Sequence, residues 1–250
     1  MTHPRRLVKY LYELDKMQEP AQHPFVGDRR AKDALFAAFA ETASALGSGR
    51  RAEIIDVLAQ GERSVEQIAE QISQSTANTS HHLQILARAG LATGRRDGTR
   101  IYYTLGSEHV TDLWAAVRAV TEEHSAGLEK LALAYLGDRS QLDAIGHREL
   151  LERMRAGSVV VLDVRPAIEY EAGRISGARS MPLPELRRRL HTLPKDAQIV
   201  AYCRGPYCVY ADDAVRLLRR EGFQALRLKD GYPEWKKAGL PVASGPESCS

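Results

Sequence analysis

Apolar positions keep a helical rhythm over the first half of the chain and a strand-and-helix alternation over the second. Residues 1–27 form a polar extension with one short helical pattern at 7–17, ended by Pro20 and Pro24. Across 28–46, Leu35, Phe36, Phe39, Ala40 and Ala43 recur at helical spacing, which predicts a helix with one apolar face. Gly47-Ser-Gly49 breaks it, and 50–59 predicts a second helix carrying Ile54, Ile55, Val57 and Leu58. After a turn at 61–64, Ser64 stands three positions before Gln67, the pairing that caps a helix N-terminus. It opens a short helix over 65–71. A longer one runs from Ser75 or Thr76 to Ala89 and stops at Gly90. Two helices joined by a tight turn outline a helix-turn-helix. Asp97-Gly98 then lies between two strand-like runs, a hairpin signal.

Residues 108–136 read as one long helix. Val110, Trp114, Val117, Leu128, Leu131 and Tyr135 form a seam on it, interrupted by Thr121 and His124. A seam of that length suits a two-fold contact between two copies, and residues 137–140 mark its end. Beyond it the period changes. A continuous apolar run at 158–162 reads as a strand buried on both faces, and helical and strand-like runs alternate at 183–190, 198–202, 210–220 and 225–228. That alternation predicts an α/β domain with a parallel sheet, whose sites lie at the carboxyl ends of the strands.

Charge changes the picture only locally. Lys and Arg number 35 against 32 Asp and Glu, so the total of 250 residues is nearly neutral. No acidic residue occurs from Gln71 to Arg96, however, and the predicted second helix of the helix-turn-helix is rich in short hydrogen-bonding groups. Ser75, Thr76, Asn78, Thr79, Ser80, His81, His82 and Gln84 are candidates for base edges and phosphates, with Ala77, Leu83, Leu86 and Ala87 inward. Arg95, Arg96 and Arg100 would project from the hairpin tip, and double-stranded operator DNA is the expected partner. No apolar stretch is long enough to span a membrane, and 1–19 has no long apolar core, so a cytoplasmic protein without a membrane partner is expected.

Three cysteines make no disulfide framework, and two of them share one loop, which suggests sulfur or redox chemistry in a reducing compartment. Cys203 follows the apolar run Ile199 to Tyr202, and Cys208 precedes the next helix. A strand–loop–helix order aims loop amides and a helix N-terminus at one point, where a thiolate is stabilised, and Arg204 adds a positive charge. Cys203 is therefore the expected nucleophile, of lowered pKa, and Cys208 the thiol that resolves what forms on it. Cys249 receives no role.

The stretch 31–105 resembles the winged-helix repressors of the ArsR family, most tellingly in Asn78-Thr-Ser-His-His82 and Arg96-Asp-Gly-Thr-Arg100. The resemblance implies a homodimer that releases an operator on sensing a signal. Members that sense metal use a cysteine pair in the first helix of the helix-turn-helix; the matching residues 62–69 hold none. His109, Asp112 and His124 are too widely spaced for the family's other metal site, so no metal is expected. Residues 146–243 resemble the rhodanese family through Leu162-Asp-Val-Arg165, the run 169–178, Met181-Pro182, the Cys203 loop and the run 228–241. This second resemblance implies that Cys203 takes a sulfane sulfur as a persulfide, a covalent adduct requiring no separate cofactor. Arg204, Gly205, Pro206, Tyr207 and Val209 would then cradle the sulfur, and Asp163 and Arg165 would brace the loop. The place near the loop end that commonly carries Arg or Lys holds Cys208, and Val209 stands where a related phosphatase loop requires Arg.

The expected architecture is thus two domains, a winged helix-turn-helix followed by an α/β rhodanese-like domain. The divisions are an extension at 1–27, the winged helix at 28–106, a dimer and linker helix at 107–140, the rhodanese-like domain at 141–245 and a tail at 246–250. The favoured function is a DNA-binding regulator that senses reactive sulfur or oxidant through Cys203, with polysulfide or thiosulfate as donor. The alternatives are an active sulfurtransferase with an autoregulatory DNA-binding half, and a metalloid-binding repressor using Cys203 and Cys208.

Overall fold

The structure, a computed structural model, describes residues 27–245; the 7–17 helix and Cys249 lie outside them. The first domain begins with α1 (Arg29–Ser44) and α2 (Gly49–Leu58), followed by the two-residue strand β1 (Arg63–Ser64). Helices α3 (Val65–Gln71) and α4 (Thr76–Arg88) come next, then the hairpin β2 (Ala92–Asp97) and β3 (Arg100–Leu105). The Ser64 hydroxyl accepts from the Gln67 amide at 3.3 Å, and the Gln67 side chain accepts from the Ser64 amide at 2.9 Å, the reciprocal cap predicted for α3. Ser75 caps α4 by accepting from Asn78 N–H at 3.2 Å. Strand β3 sits between β1 and β2, both antiparallel to it. Asp97 pairs with Arg100 across a two-residue loop whose first residue, Gly98, takes φ +58°, a conformation that costs glycine little. One apolar cluster joins Ile54, Ile55 and Leu58 of α2, Ile68 of α3, Leu83 and Leu86 of α4, and Tyr103 of β3.

The predicted single helix over 108–136 is two, α5 (Glu108–His124) and α6 (Leu128–Leu136). Ser125 is extended, with φ −94° and ψ 97°, and Gly127 precedes α6, so the chain leaves the helical path between them. The seam divides accordingly. Val110 is buried in the winged-helix core and Trp114 packs against that core, which removes both from an outer dimer surface. Leu128 is half-buried, whereas Val117, Leu131 and Tyr135 are exposed.

The second domain places helices on both faces of a parallel sheet. Strands β4 (Ala144–Ile145), β5 (Val159–Asp163), β7 (Arg179–Ser180), β8 (Gln198–Tyr202) and β9 (Ala225–Leu228) lie in the order β4-β9-β8-β5-β7. Strand β6 (Arg174–Ile175) pairs separately with β10 (Val242–Ala243). The helices are α7 (His147–Arg155), α8 (Ala167–Ala172), α9 (Leu183–Arg189), α10 (Val209–Arg220) and α11 (Tyr232–Lys237). Alternate residues of the strands serve opposite faces, because successive side chains point to opposite sides. Leu162, Ile199 and Ala201 meet Leu186 of α9 and Ala214, Val215 and Leu218 of α10. Val161, Val200 and Tyr202 meet Leu150 of α7 and Trp235 of α11. Strands β5 and β8 run in register, Asp163 beside Tyr202, so the two chain ends that carry polar chemistry leave the sheet together.

Candidate functional site

On α4, Ser75, Thr76, Asn78, His81 and Gln84 are exposed, and Ser80 is half-buried. Thr79 corrects the expectation: it is fully buried, with its hydroxyl unpartnered, because Thr79, Leu83 and Leu86 share the inward face while Ala77 turns outward. His82 is half-buried with Nδ1 enclosed and unpartnered; burial, followed by the nearby Arg51 charge, draws its pKa down. Arg96 and Arg100 stand exposed at the hairpin tip. Arg95 is held back, binding Glu62 at 2.8 Å and Asp97 at 3.1 Å and covering the Tyr102 ring. A phosphate would have to displace those carboxylates.

The cysteine loop leaves β8 at Cys203 and enters α10 at Cys208, whose Cα atoms lie 6.3 Å apart and whose sulfurs are joined as a disulfide. The Cys208 amide donates to Gly205 O at 3.2 Å and turns the loop tightly. Cys203 itself is only 2% exposed, in the core with Leu162, Val164 and Met181. Its carbonyl accepts from Tyr232 N–H at 3.1 Å. Gly231, just before, packs so closely that a Cβ there would lie 2.3 Å from the Arg204 backbone, so this wall of the loop requires glycine.

Arg204 does not lend its charge to the cysteine alone. It binds Glu169 of α8 at 2.7 Å, and Arg63 of β1 reaches the same buried carboxylate at 3.4 Å. Asp163 and Arg165 form a buried ion pair at the end of β5. Burial opposes the Arg165 charge, but hydrogen bonds and attraction from Asp163 outweigh it and leave the pKa raised. Tyr202 donates its hydroxyl to Asp163 and accepts from Ile175 N–H at 3.1 Å; burial, then the Asp163 charge, push the phenol pKa well up, keeping it a donor. The pair therefore reaches the loop indirectly, through Tyr202 and through Gln60.

Gln60 of the first domain is the bridge. Arg165 Nη1 donates to its carbonyl at 3.0 Å, and its amide donates to Arg204 O at 3.4 Å. On the other side of the loop, Arg139 of the linker donates to Pro206 O at 2.7 Å and pairs with buried Asp212 of α10 at 2.5 Å. Tyr207 donates to Glu122 of α5 at 2.9 Å, and Arg118 of α5 pairs with Glu234 of α11 at 2.5 Å. Gln60, Arg63, Arg139 and Glu169 were missed from sequence. Glu169 lay inside a recognised motif, but the others carry no pattern that distinguishes them from surface residues. Between the domains lies a cleft of about 980 Å³ bordered by Asp56, Arg63, Trp114, Glu169, Tyr207 and Cys208, among others. Burial raises the pKa of Asp56, opposed by the hydrogen bond it accepts from Trp114 Nε1 at 3.1 Å.

A winged helix joined to a parallel-sheet domain with a strand-end cysteine loop defines a two-domain winged-helix and rhodanese-type protein. A family model described as bacterial regulatory protein, arsR family, matches residues 48–93, and one described as rhodanese-like domain matches 147–238. HTH-type transcriptional regulator Rv0324 of Mycobacterium tuberculosis is 48% identical over 219 residues, covering 88% of this chain and 96% of that one. A sulfurtransferase of Allochromatium vinosum is 31% identical over 87 residues, 34% of this chain and 79% of that protein. Among solved structures, the homodimeric winged helix-turn-helix domain of a possible ArsR-family regulator from Mycobacterium bovis is 42% identical, covers 40% of this chain and 94% of that one, and has a TM-score of 0.38. The chain belongs to the ArsR family of bacterial transcriptional regulators and carries a C-terminal rhodanese-like domain. Among the described residues, no helix is long and apolar enough to cross a membrane.

Proposed function

We propose that this regulator binds operator DNA through α4 and the hairpin tip and senses reactive sulfur or oxidant through Cys203 and Cys208. The observation that carries the reading is the direct connection of the loop to the winged helix. Gln60 touches the Arg204 carbonyl, and Arg63 shares the Glu169 carboxylate with the Arg204 side chain. Arg63 also pairs in register with Tyr103 of the hairpin, and Ser64 beside it caps α3. Any rearrangement of the loop therefore acts on groups that position the helix-turn-helix.

A balanced chemistry is available. The Cys203 thiolate takes the outer sulfur of a hydropersulfide RSSH, giving Cys203–S–SH and RS⁻. The Cys208 thiolate then attacks the inner sulfur, forms the disulfide and expels HS⁻. A coupling of about 1–3 kcal/mol between loop state and DNA affinity is enough for a regulator.

Two copies would meet through the apolar faces left open among the described residues. Phe36 and Phe39 of α1 are 58% and 60% exposed, and Leu131 and Tyr135 of α6 are 67% and 66% exposed. Such a dimer would match a palindromic operator. Val117 joins this set; Trp114 and Val110 do not, being committed to the core.

The test is fluorescence anisotropy with an operator selected from random DNA by the reduced protein. Polysulfide should change the wild-type affinity at least tenfold and leave Cys203→Ser unchanged. A Cys203→Ser protein that still responds would overturn the sensor reading. A sulfurtransferase with an autoregulatory DNA-binding half is the second reading, favoured by the rhodanese match; it requires steady thiocyanate formation from thiosulfate and cyanide, undiminished in Cys208→Ser.

A further inference from the structure

The two sulfurs of the disulfide are not equivalent. Cys203 is 2% exposed and packed among Leu162, Val164 and Met181, whereas Cys208 is half-buried and borders the cleft between the domains. Exchange requires the incoming thiolate, the attacked sulfur and the departing sulfur to lie nearly in line, so access selects the sulfur that is attacked. An attack from the cleft meets Cys208 first and releases Cys203.

The cleft has room for more than a bare sulfide. Its volume of about 980 Å³ is at the upper end of small-molecule sites, roughly 300–1,000 Å³. Its wall is charged in both senses. Arg63 and Arg204 share one carboxylate, Glu169, leaving a positive charge in excess there. Glu70 borders the same cleft and supplies a negative charge. A molecule bearing both carboxylate and ammonium groups fits such a wall better than a neutral one.

Resting on the sensor reading above, we infer that the cleft docks a zwitterionic low-molecular-weight thiol, of the cysteine or glutathione kind, which resets the switch by attacking Cys208. The first step converts RS⁻ and the protein disulfide into RS–S–Cys208 and the Cys203 thiolate. A second RS⁻ attacks the thiol-derived sulfur, giving RSSR and the Cys208 thiolate. Two thiols are oxidised and one protein disulfide is reduced. The reset thus enters at Cys208, the sulfur that borders the cleft.

Trypsin cleaves after Arg204 and so puts the two cysteines on different peptides, which makes the first step readable in the wild-type full chain. The protein is oxidised with diamide, mixed with reduced glutathione, quenched at timed intervals with N-ethylmaleimide and acid, and digested. The glutathione adduct should appear on the Cys208 peptide, with maleimide on the Cys203 peptide, in at least tenfold excess over the reverse pattern. The exchange rate should saturate with glutathione concentration and rise linearly with 2-mercaptoethanol, which has no charged groups to dock. An adduct mainly on Cys203, or equal adducts on both, would overturn the attack at Cys208. Linear kinetics with glutathione would overturn the docking site. None of these readouts uses DNA, so they fail or succeed separately from the Cys203→Ser operator test.

Discussion

The recognition helix α4 and the cysteine loop are both short polar segments set between apolar ones, yet they are held in opposite ways. Asn78 of α4 is fixed by its own neighbourhood, its amide by Ser75 and its side chain donating to Gln74 at 2.7 Å. The loop is fixed from far away in sequence, with Arg204 contacted by Gln60 from 144 residues back and Pro206 by Arg139 from 67 residues back. The first arrangement leaves side chains free to meet a partner. The second makes the loop's shape depend on both domains. Substitutions at the exposed residues of α4 should therefore change binding and spare stability, whereas substitutions around the loop should change stability and response together.

The sharpest contrast comes from Asp163→Ala. It leaves the Arg165 charge buried and unpaired, and breaking such a pair costs about 3–5 kcal/mol. Thermal unfolding should show that loss, and a change below about 1 kcal/mol would mean that the pair is not what holds the end of β5. Gln60→Ala comes next. It removes the acceptor of Arg165 Nη1 and the bridge to Arg204, so about 1–3 kcal/mol should be lost with the buried donor unsatisfied. The polysulfide effect on DNA affinity should fall in the same variant, and an undiminished effect would place the coupling elsewhere.

On the other side of the comparison, Arg96→Ala and Arg100→Ala should leave the unfolding temperature unchanged. Each should reduce the slope of log affinity against log salt by about one, the loss of one phosphate contact. Arg95→Ala should do less to that slope, because Glu62 and Asp97 already occupy its guanidinium. Filter-binding titrations at several salt concentrations would rank the three.

The smallest effect should be at Asp56, between the two regions. Its folded pKa is raised above 3.8, chiefly by burial, so the folded protein holds this proton more tightly than the unfolded chain. Its stabilising contribution is complete below that ordinary value and is lost as pH rises through the raised one. Asp56→Asn keeps an oxygen for Trp114 Nε1 and removes the titration. The variant should gain stability relative to wild type as pH rises from 4 to 7, as measured by urea denaturation. A constant difference across that range would show that the carboxyl does not titrate there.

Periodicity made most elements legible, because each helix or strand buries a face whose spacing is written in its own residues. The capping pair Ser64 and Gln67, the Asp97-Gly98 turn and the order of strands and helices after residue 140 are of this kind. The long helix was misread because a helical period continues through 125–127, while Ser125 becomes extended only in the folded chain. Thr79 was misread for a related reason: a polar side chain suggested solvent, but its phase with Leu83 and Leu86 places it inside.

The sequence by itself determined two domains, their classes and the position of Cys203 at a strand end, since these follow from local pattern and family motif. Only the tertiary structure decided that Arg204 faces Glu169, that Val110 and Trp114 belong to a core, and that Gln60 and Arg139 hold the loop. Those outcomes depend on which charges and donors meet when distant segments are buried together. A buried polar group must find a partner wherever the fold supplies one, and neither its neighbours in sequence nor its residue type say which one that will be.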